Sequence, residues 1–267
     1  MQRKGGVGPP RFRATSVALL VATLAVPGCA ESRGDDEAAV DAPVLVMAAS
    51  SLNRVLPALI ERFEGRTGKT VDLALGATGS LATQIENGAP ADLFFAADEA
   101  TIERLVESGS IRPSSVRTYA TGQLVLVWRD QAKRPASPEA LADAGYDVVA
   151  IANPEIAPYG AAARETLQHL GVWNALKPRI VQGESIAQTY QLVRTGNADI
   201  ALVARSVVDT TASEFIPVDP RLHAPIPHAV GVLERSRNPV ATRFLEFVLS
   251  DEGQAIFAAN GFGPADS

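Results

Sequence analysis

"VLVMAASSLNRVLPALIERF", residues 44–63, is the stretch on which the fold turns. Val44 to Ala49 form a continuous apolar run, the pattern of a strand buried on both faces. Leu52, Val55, Leu56, Leu59, Ile60 and Phe63 then recur at helical spacing, and Gly65 and Gly68 close the helix. Pro57 suits only the first turn of a helix, so an irregular start near Ser50 and Ser51 is expected. A buried strand running straight into a helix is half of a βαβ unit.

The same alternation continues outward. "TVDLAL" (70–75) reads as a strand, "GATGSLATQIENG" (76–88) as a turn into a helix, and "ADLFFAA" (91–97) as a third strand, with Asp98 capping the helix that follows. The pattern restarts at Gly122: "QLVLVW" is a strand, Ser137-Pro138 opens a helix, and "DVVAIA" (147–152) is a strand before a helix at 158–170. "RIVQ" (179–182), a helix opened by Ser185, and "DIALVA" (199–204) complete the second block. Two amphipathic helices, 240–250 and 252–261, end the chain. The expected class is α/β with two lobes, each a mostly parallel sheet flanked by helices, and a ligand cleft between them.

The N-terminus differs in kind. Arg3, Lys4, Arg11 and Arg13 precede the apolar run "ATSVALLVATLAVPG", which is too short to span a bilayer comfortably and ends at Cys29, the sole cysteine. That order describes an export signal over residues 1–28. "VPGC" resembles a lipobox with Cys29 as lipid acceptor, although Pro27 departs from the usual pattern and leaves ordinary signal cleavage open. Residues 29–42, small and acidic, read as a flexible tether, so the protein is expected outside the cytoplasmic membrane, anchored through lipid. One cysteine excludes an internal disulfide.

Of the 24 basic residues, four precede Cys29 and no acid does, so residues 29–267 carry 20 basic against 30 acidic side chains. Such a balance argues against nucleic acid as a partner. An anion bound here must be held by local structure, because the overall field opposes it.

Four strand-to-helix loops supply that structure: "AASSLN" (48–53), "GATGSL" (76–81), "NPEIAPYG" (153–160) and "GESIAQ" (183–188). None contains Lys, Arg or His, and all are rich in hydroxyls, glycines and backbone N–H groups. Helix N-termini present orphan donors and partial positive charge. Donors without an opposing acceptor favour a fully ionised tetrahedral dianion over a protonated one. Glu184 would weaken this argument if it pointed into the cleft. Each loop by itself reads more readily as a plain helix cap than as a ligand contact, and only the four together bring the two readings level.

"AASSL", "GATGSLATQIENGAPADLFFAAD", "NPEIAPYGAAARETLQHLG", "ESIAQTYQLVRTGNADIALVARS" and "FLEFVLSDEGQAIFAANGFG" together resemble the molybdate-binding ModA-type proteins, the solute-binding subunits of molybdate ABC transporters. The resemblance runs from about residue 44 to the end. It implies a type II periplasmic binding fold, with residues 43–120 and 229–267 as lobe 1 and 121–228 as lobe 2. It implies molybdate, and also tungstate, as ligand, an ABC permease as partner, a monomeric state and no cofactor. Carried over, the oxyanion contacts are the Ser51 and Thr78 hydroxyls and the backbone N–H groups of Tyr159 and Ile186. Ser50, Gly79, Ser80 and Ser206 are further candidates. Some members add a tyrosine hydroxyl where this chain has Ala204, which leaves the choice among molybdate, tungstate and sulfate open. Closure is expected to hinge near 118–122 and 228–230.

Other residues invite functional readings that are weaker. His169, His223 and His228 lack metal-ligand spacing and read as surface or interlobe packing. Asp92 and Asp98 read as a strand-end hydrogen bonder and a helix cap rather than a catalytic pair. Trp128 and Trp173 read as core or lobe-surface aromatics, and Arg205 as half of a salt bridge. Two rival functions remain: a binder of another oxyanion such as sulfate, or an enzyme or sensor on the same two-lobed fold. The absence of a cysteine beyond residue 29 argues against a covalently held cofactor.

Overall fold

A computed structural model describes residues 42–265, except 132–133 and 143–144. Cys29, the export signal and nearly all of the expected tether lie outside the described residues.

Strand β1 (Val44–Ala49) leads through a 3-10 turn at Ser50–Leu52 into helix α1 (Val55–Thr67). Pro57 therefore falls in the first helical turn, where its missing N–H costs nothing, and Gly68 ends the helix at φ 65°. β2 (Val71–Gly76), α2 (Thr78–Glu86), β3 (Leu93–Phe95) and α3 (Glu99–Glu107) follow, with Asp98 accepting from the Thr101 N–H at 2.6 Å. β4 (Arg117–Thr121) closes the first run. The second run is β5 (Leu124–Trp128), β6 (Val149–Ala152), α4 (Pro158–His169), α5 (Trp173–Leu176), β7 (Ile180–Gly183), α6 (Ile186–Thr195), β8 (Ile200–Ala204) and β9 (Ile216–Pro217). β10 (Pro227–Val232), α7 (Pro239–Leu249) and α8 (Asp251–Ala259) end the chain. The helix expected after Ser137 is only a 3-10 stretch, Pro138–Ala142.

The strands form two five-stranded sheets, ordered β2-β1-β3-β10-β4 and β7-β6-β8-β5-β9. β1 pairs in parallel with β2 and β3, and β6 with β7 and β8. β10 and β5 run against their neighbours. Their direction follows from the route of the chain. It leaves the first sheet after Thr121 and returns at Pro227, so each strand that starts at a passage begins at the end where the parallel strands finish. The segments expected as hinges, 118–122 and 228–230, lie mostly inside β4 and β10, which pair with each other. The passages lie just beyond them, at 122–123 and 218–226, and the Gly122 N–H donates to the Ile226 carbonyl at 2.8 Å.

The first sheet is covered on both faces. Leu56, Leu59, Phe63, Phe244 and Phe257 pack on Val46, Ala48 and Phe95, while Leu81, Ile85, Ile102 and Leu105 pack on Met47 and Phe94. Alternate strand residues thus serve opposite faces, as a pleated strand requires. Phe63 and Phe244 meet edge to face at 5.1 Å, a pairing that adds about 1 kcal/mol to their area burial. The second core includes Trp128, and Ala49 and Ala97 from the ends of the first sheet's strands reach into it. Asp92 accepts from the Leu45 N–H at 2.9 Å and from Ser236 Oγ at 2.5 Å, which is the strand-end role expected of it.

Candidate functional site

The four loops meet between the sheets. Ser50, Ser51, Thr78, Tyr159 and Ile186 line one small cavity with Ala49, Gly76, Ala77, Ala97, Ala157 and Pro158. Ser51 and Thr78 are each 1% exposed. The space left among them is about 10 Å³, room for roughly one small group. Among the described residues, no charged side chain lines it.

Each donor is placed by backbone geometry. The 3-10 turn after β1 sets Ser51 at the cavity wall, and Thr78 is the first residue of α2. Thr78 Oγ1 accepts from the Ala97 N–H at 3.1 Å, which leaves its own proton free to donate. Tyr159 and Ile186 stand in the first turns of α4 and α6, where backbone N–H groups have no helical partner. Two hydroxyls and two helix N-termini therefore converge, an arrangement suited to anionic oxygens.

The other candidates have different duties. The Ser50 hydroxyl caps no local helix; it accepts from the Ala187 N–H of α6 at 3.3 Å. The Gly79 N–H donates across the cleft to the Ile156 carbonyl at 2.9 Å, and a β-carbon at Gly79 would stand 3.1 Å from Ile156 Cα. Ser206 Oγ donates to the Ser51 carbonyl at 2.8 Å, fixing the turn rather than lining the cavity. Ser80 is half-buried in α2 and also does not line it. Ala204 ends β8, fully buried opposite Leu124.

Glu184 is exposed, and Glu155, a loop carboxylate that the sequence reading passed over, pairs with Arg164 at 2.8 Å. Arg205, expected in a salt bridge, lies with its guanidinium 4.4 Å from the centre of the Phe215 ring, and burial, with nearby Arg54, lowers its pKa. No cluster of metal-ligating side chains occurs among the described residues.

Sequence reasoning missed what stands behind Ser51. His228 is fully buried, with Nε2 3.2 Å from Ser51 Oγ and Nδ1 3.0 Å from the Ile226 carbonyl. Burial pushes its pKa down to about 4, partly offset by the Ile226 hydrogen bond. Tyr159 packs its ring 5.7 Å from the imidazole. Its buried hydroxyl has no hydrogen-bond partner among the described residues, and burial raises its pKa, the neighbouring Ser206 hydroxyl moderating the rise without reaching bonding geometry. Gly122 makes this packing possible, since a β-carbon there would lie 2.2 Å from the Tyr159 hydroxyl and 2.9 Å from His228 Cε1. The one visible signal was a titratable ring inside an otherwise apolar strand.

Comparison with known proteins decides the family. The model for bacterial extracellular solute-binding proteins matches residues 44–263. The chain belongs to that family. It is a solute-binding protein, not an enzyme. The molybdate-binding protein ModA of Rhodobacter capsulatus is 36% identical over 261 residues, covering 95% of this chain and 97% of that one. The periplasmic molybdate-binding protein of Azotobacter vinelandii superposes with a TM-score of 0.76 at 30% identity, over 82% of this chain and 98% of that chain. A sulfate-binding protein of Mycobacterium tuberculosis shares the fold at a TM-score of 0.70 and 18% identity, over 84% and 87% of the two chains. This chain shares its two-lobed periplasmic-binding architecture with both of these solved structures.

Proposed function

We propose that this protein captures molybdate, and also tungstate, outside the cytoplasmic membrane and delivers it to an ABC transporter permease. The observation that carries the reading is the cavity where the Ser51 and Thr78 hydroxyls meet the N-termini of α4 and α6, with no charged side chain in its lining. Fixed neutral donors shielded from water can replace the hydration shell of a dianion. A carboxylate would repel it, and none lines the cavity. The names of the two molybdate-binding relatives support molybdate over other tetrahedral anions. Recognition is the whole of the chemistry, with Ser51, Thr78 and the Tyr159 and Ile186 N–H groups bonding the anion's oxygens.

The protein works as a monomer, held to the membrane by a lipid on Cys29. Replacing Cys29 with serine should then move it from the membrane fraction to the soluble exported fraction.

Thermal unfolding with added molybdate, tungstate, sulfate and phosphate tests the ligand. An anion at about a thousand times its Kd stabilises by roughly 4 kcal/mol. A shift with sulfate or phosphate but none with molybdate or tungstate would reject the assignment.

A further inference from the structure

Oxyanion capture at Ser51 asks that hydroxyl to donate, but its proton already has a partner. The Ile226 carbonyl can only accept, so His228 Nδ1, 3.0 Å away, carries the ring proton. In the neutral ring Nε2 is then a bare acceptor, and Ser51 Oγ, at 3.2 Å, donates its single proton to it. The hydroxyl thereby turns lone pairs toward the cavity, the wrong polarity for an anion that brings only acceptors.

Binding can resolve the conflict in two ways. Ser51 can swing its proton to the anion and strand Nε2 as a buried acceptor, which costs desolvation without return. Alternatively the imidazole takes a proton from solvent. Nε2–H then donates to Ser51 Oγ, Oγ–H donates to the anion, and every group is paired. A positive charge also arises beside a dianion in a cavity that no charged side chain lines.

We propose that His228 is the positioning residue that sets the donor direction of Ser51, and that anion binding takes up a proton at its imidazole. This rests on the oxyanion reading of the cavity. The titratable groups facing His228 are Tyr119 of β4, at 5.8 Å between rings, and Tyr159 of α4, at 5.7 Å. Burial raises both phenols, so both are neutral across the working range, and the Tyr119 hydroxyl donates to the Ala96 carbonyl. Phe262, 5.3 Å away, Gly122 and the Ser51 turn add no charge. Asp98 acts on Tyr119, and its charge would favour an imidazolium. Without ligand the ring is neutral above about pH 4, so the proton is gained on binding rather than already held.

Calorimetry with molybdate, run at pH 6.5 in two buffers of different ionisation enthalpy, counts the protons taken up. The expected result is net uptake of up to one proton, with affinity falling by up to tenfold per pH unit between pH 6 and 8. The ¹⁵N shift of His228 Nε2 in the unmutated protein should move from a bare to a protonated nitrogen on adding molybdate. His228→Gln can donate to Ser51 through a neutral amide, so its uptake should vanish and its pH profile flatten. Tight binding with zero uptake, a flat profile or an unmoved Nε2 resonance overturns the relay and leaves molybdate capture standing. Failure of every oxyanion to bind overturns both.

Discussion

Ser51 Oγ sits 3.2 Å from His228 Nε2, joining the turn after the first strand to the strand that returns from the second lobe. The pair is buried, and Ser206 holds the carbonyl of the same serine from the other side. Residues far apart in the chain thus hold one hydroxyl in place.

Acid should weaken the ligand-free protein through this histidine. Its folded pKa, about 4, lies below its ordinary value of 6.5, so the unfolded chain binds the proton more readily in that interval. The stabilising contribution is therefore full above about pH 6.5 and is lost progressively as pH falls toward 4. The loss is on the order of a few kcal/mol, at about 1.4 kcal/mol per unit. Urea unfolding of the wild type and His228→Gln at several pH values checks this: the variant should lack that slope.

Thr78→Val keeps the shape and removes the hydroxyl. It strands the buried Ala97 N–H, which should cost about 1–3 kcal/mol of stability. Molybdate affinity should also fall, by about 1 kcal/mol or more. Ser51→Ala should lower affinity by a similar amount. Unchanged Kd in both variants would return these residues to a purely structural role.

Gly79→Ala places a methyl 3.1 Å from Ile156 Cα and 3.2 Å from its carbonyl oxygen, across the cleft. The lobes must part slightly to admit it. Affinity should drop by about tenfold, equivalent to about 1.4 kcal/mol, while the melting temperature without ligand stays nearly unchanged. Calorimetry with molybdate beside a thermal melt separates the two effects.

Phe244→Ala opens the first lobe's core, where the ring is fully buried against Phe63 and Phe95. A loss of about 3–5 kcal/mol is expected in chemical unfolding.

Much of the architecture was legible because apolar runs and helix caps are local signals. Val44–Ala49 is a strand from end to end as read, and Asp98, Ser185 and Gly68 act at the helix ends where their chemistry suggested. The reversed direction of β5 and β10 was not legible, since it depends on where the chain enters each sheet and not on composition. Among the candidate contacts, Ser51 and Thr78 rested on the family resemblance, because a hydroxyl at a helix start is by itself only a cap signal. Ser50, Gly79 and Ser206 were further candidates, and only the fold shows that they hold Ala187, Ile156 and Ser51 across the cleft. His228 read only as packing because its partner, Ser51, lies 177 residues away.

The sheet order also dictates a timetable. β10 sits between β3 and β4, so the first sheet stays split until residues 227–232 arrive, whereas every strand of the second sheet has already emerged by Pro217. A chain delivered N-terminus first can therefore assemble its later lobe before its earlier one. Until then the edges of β3 and β4 wait unpaired, which makes the interval after β9 the moment when a holding chaperone has most to protect.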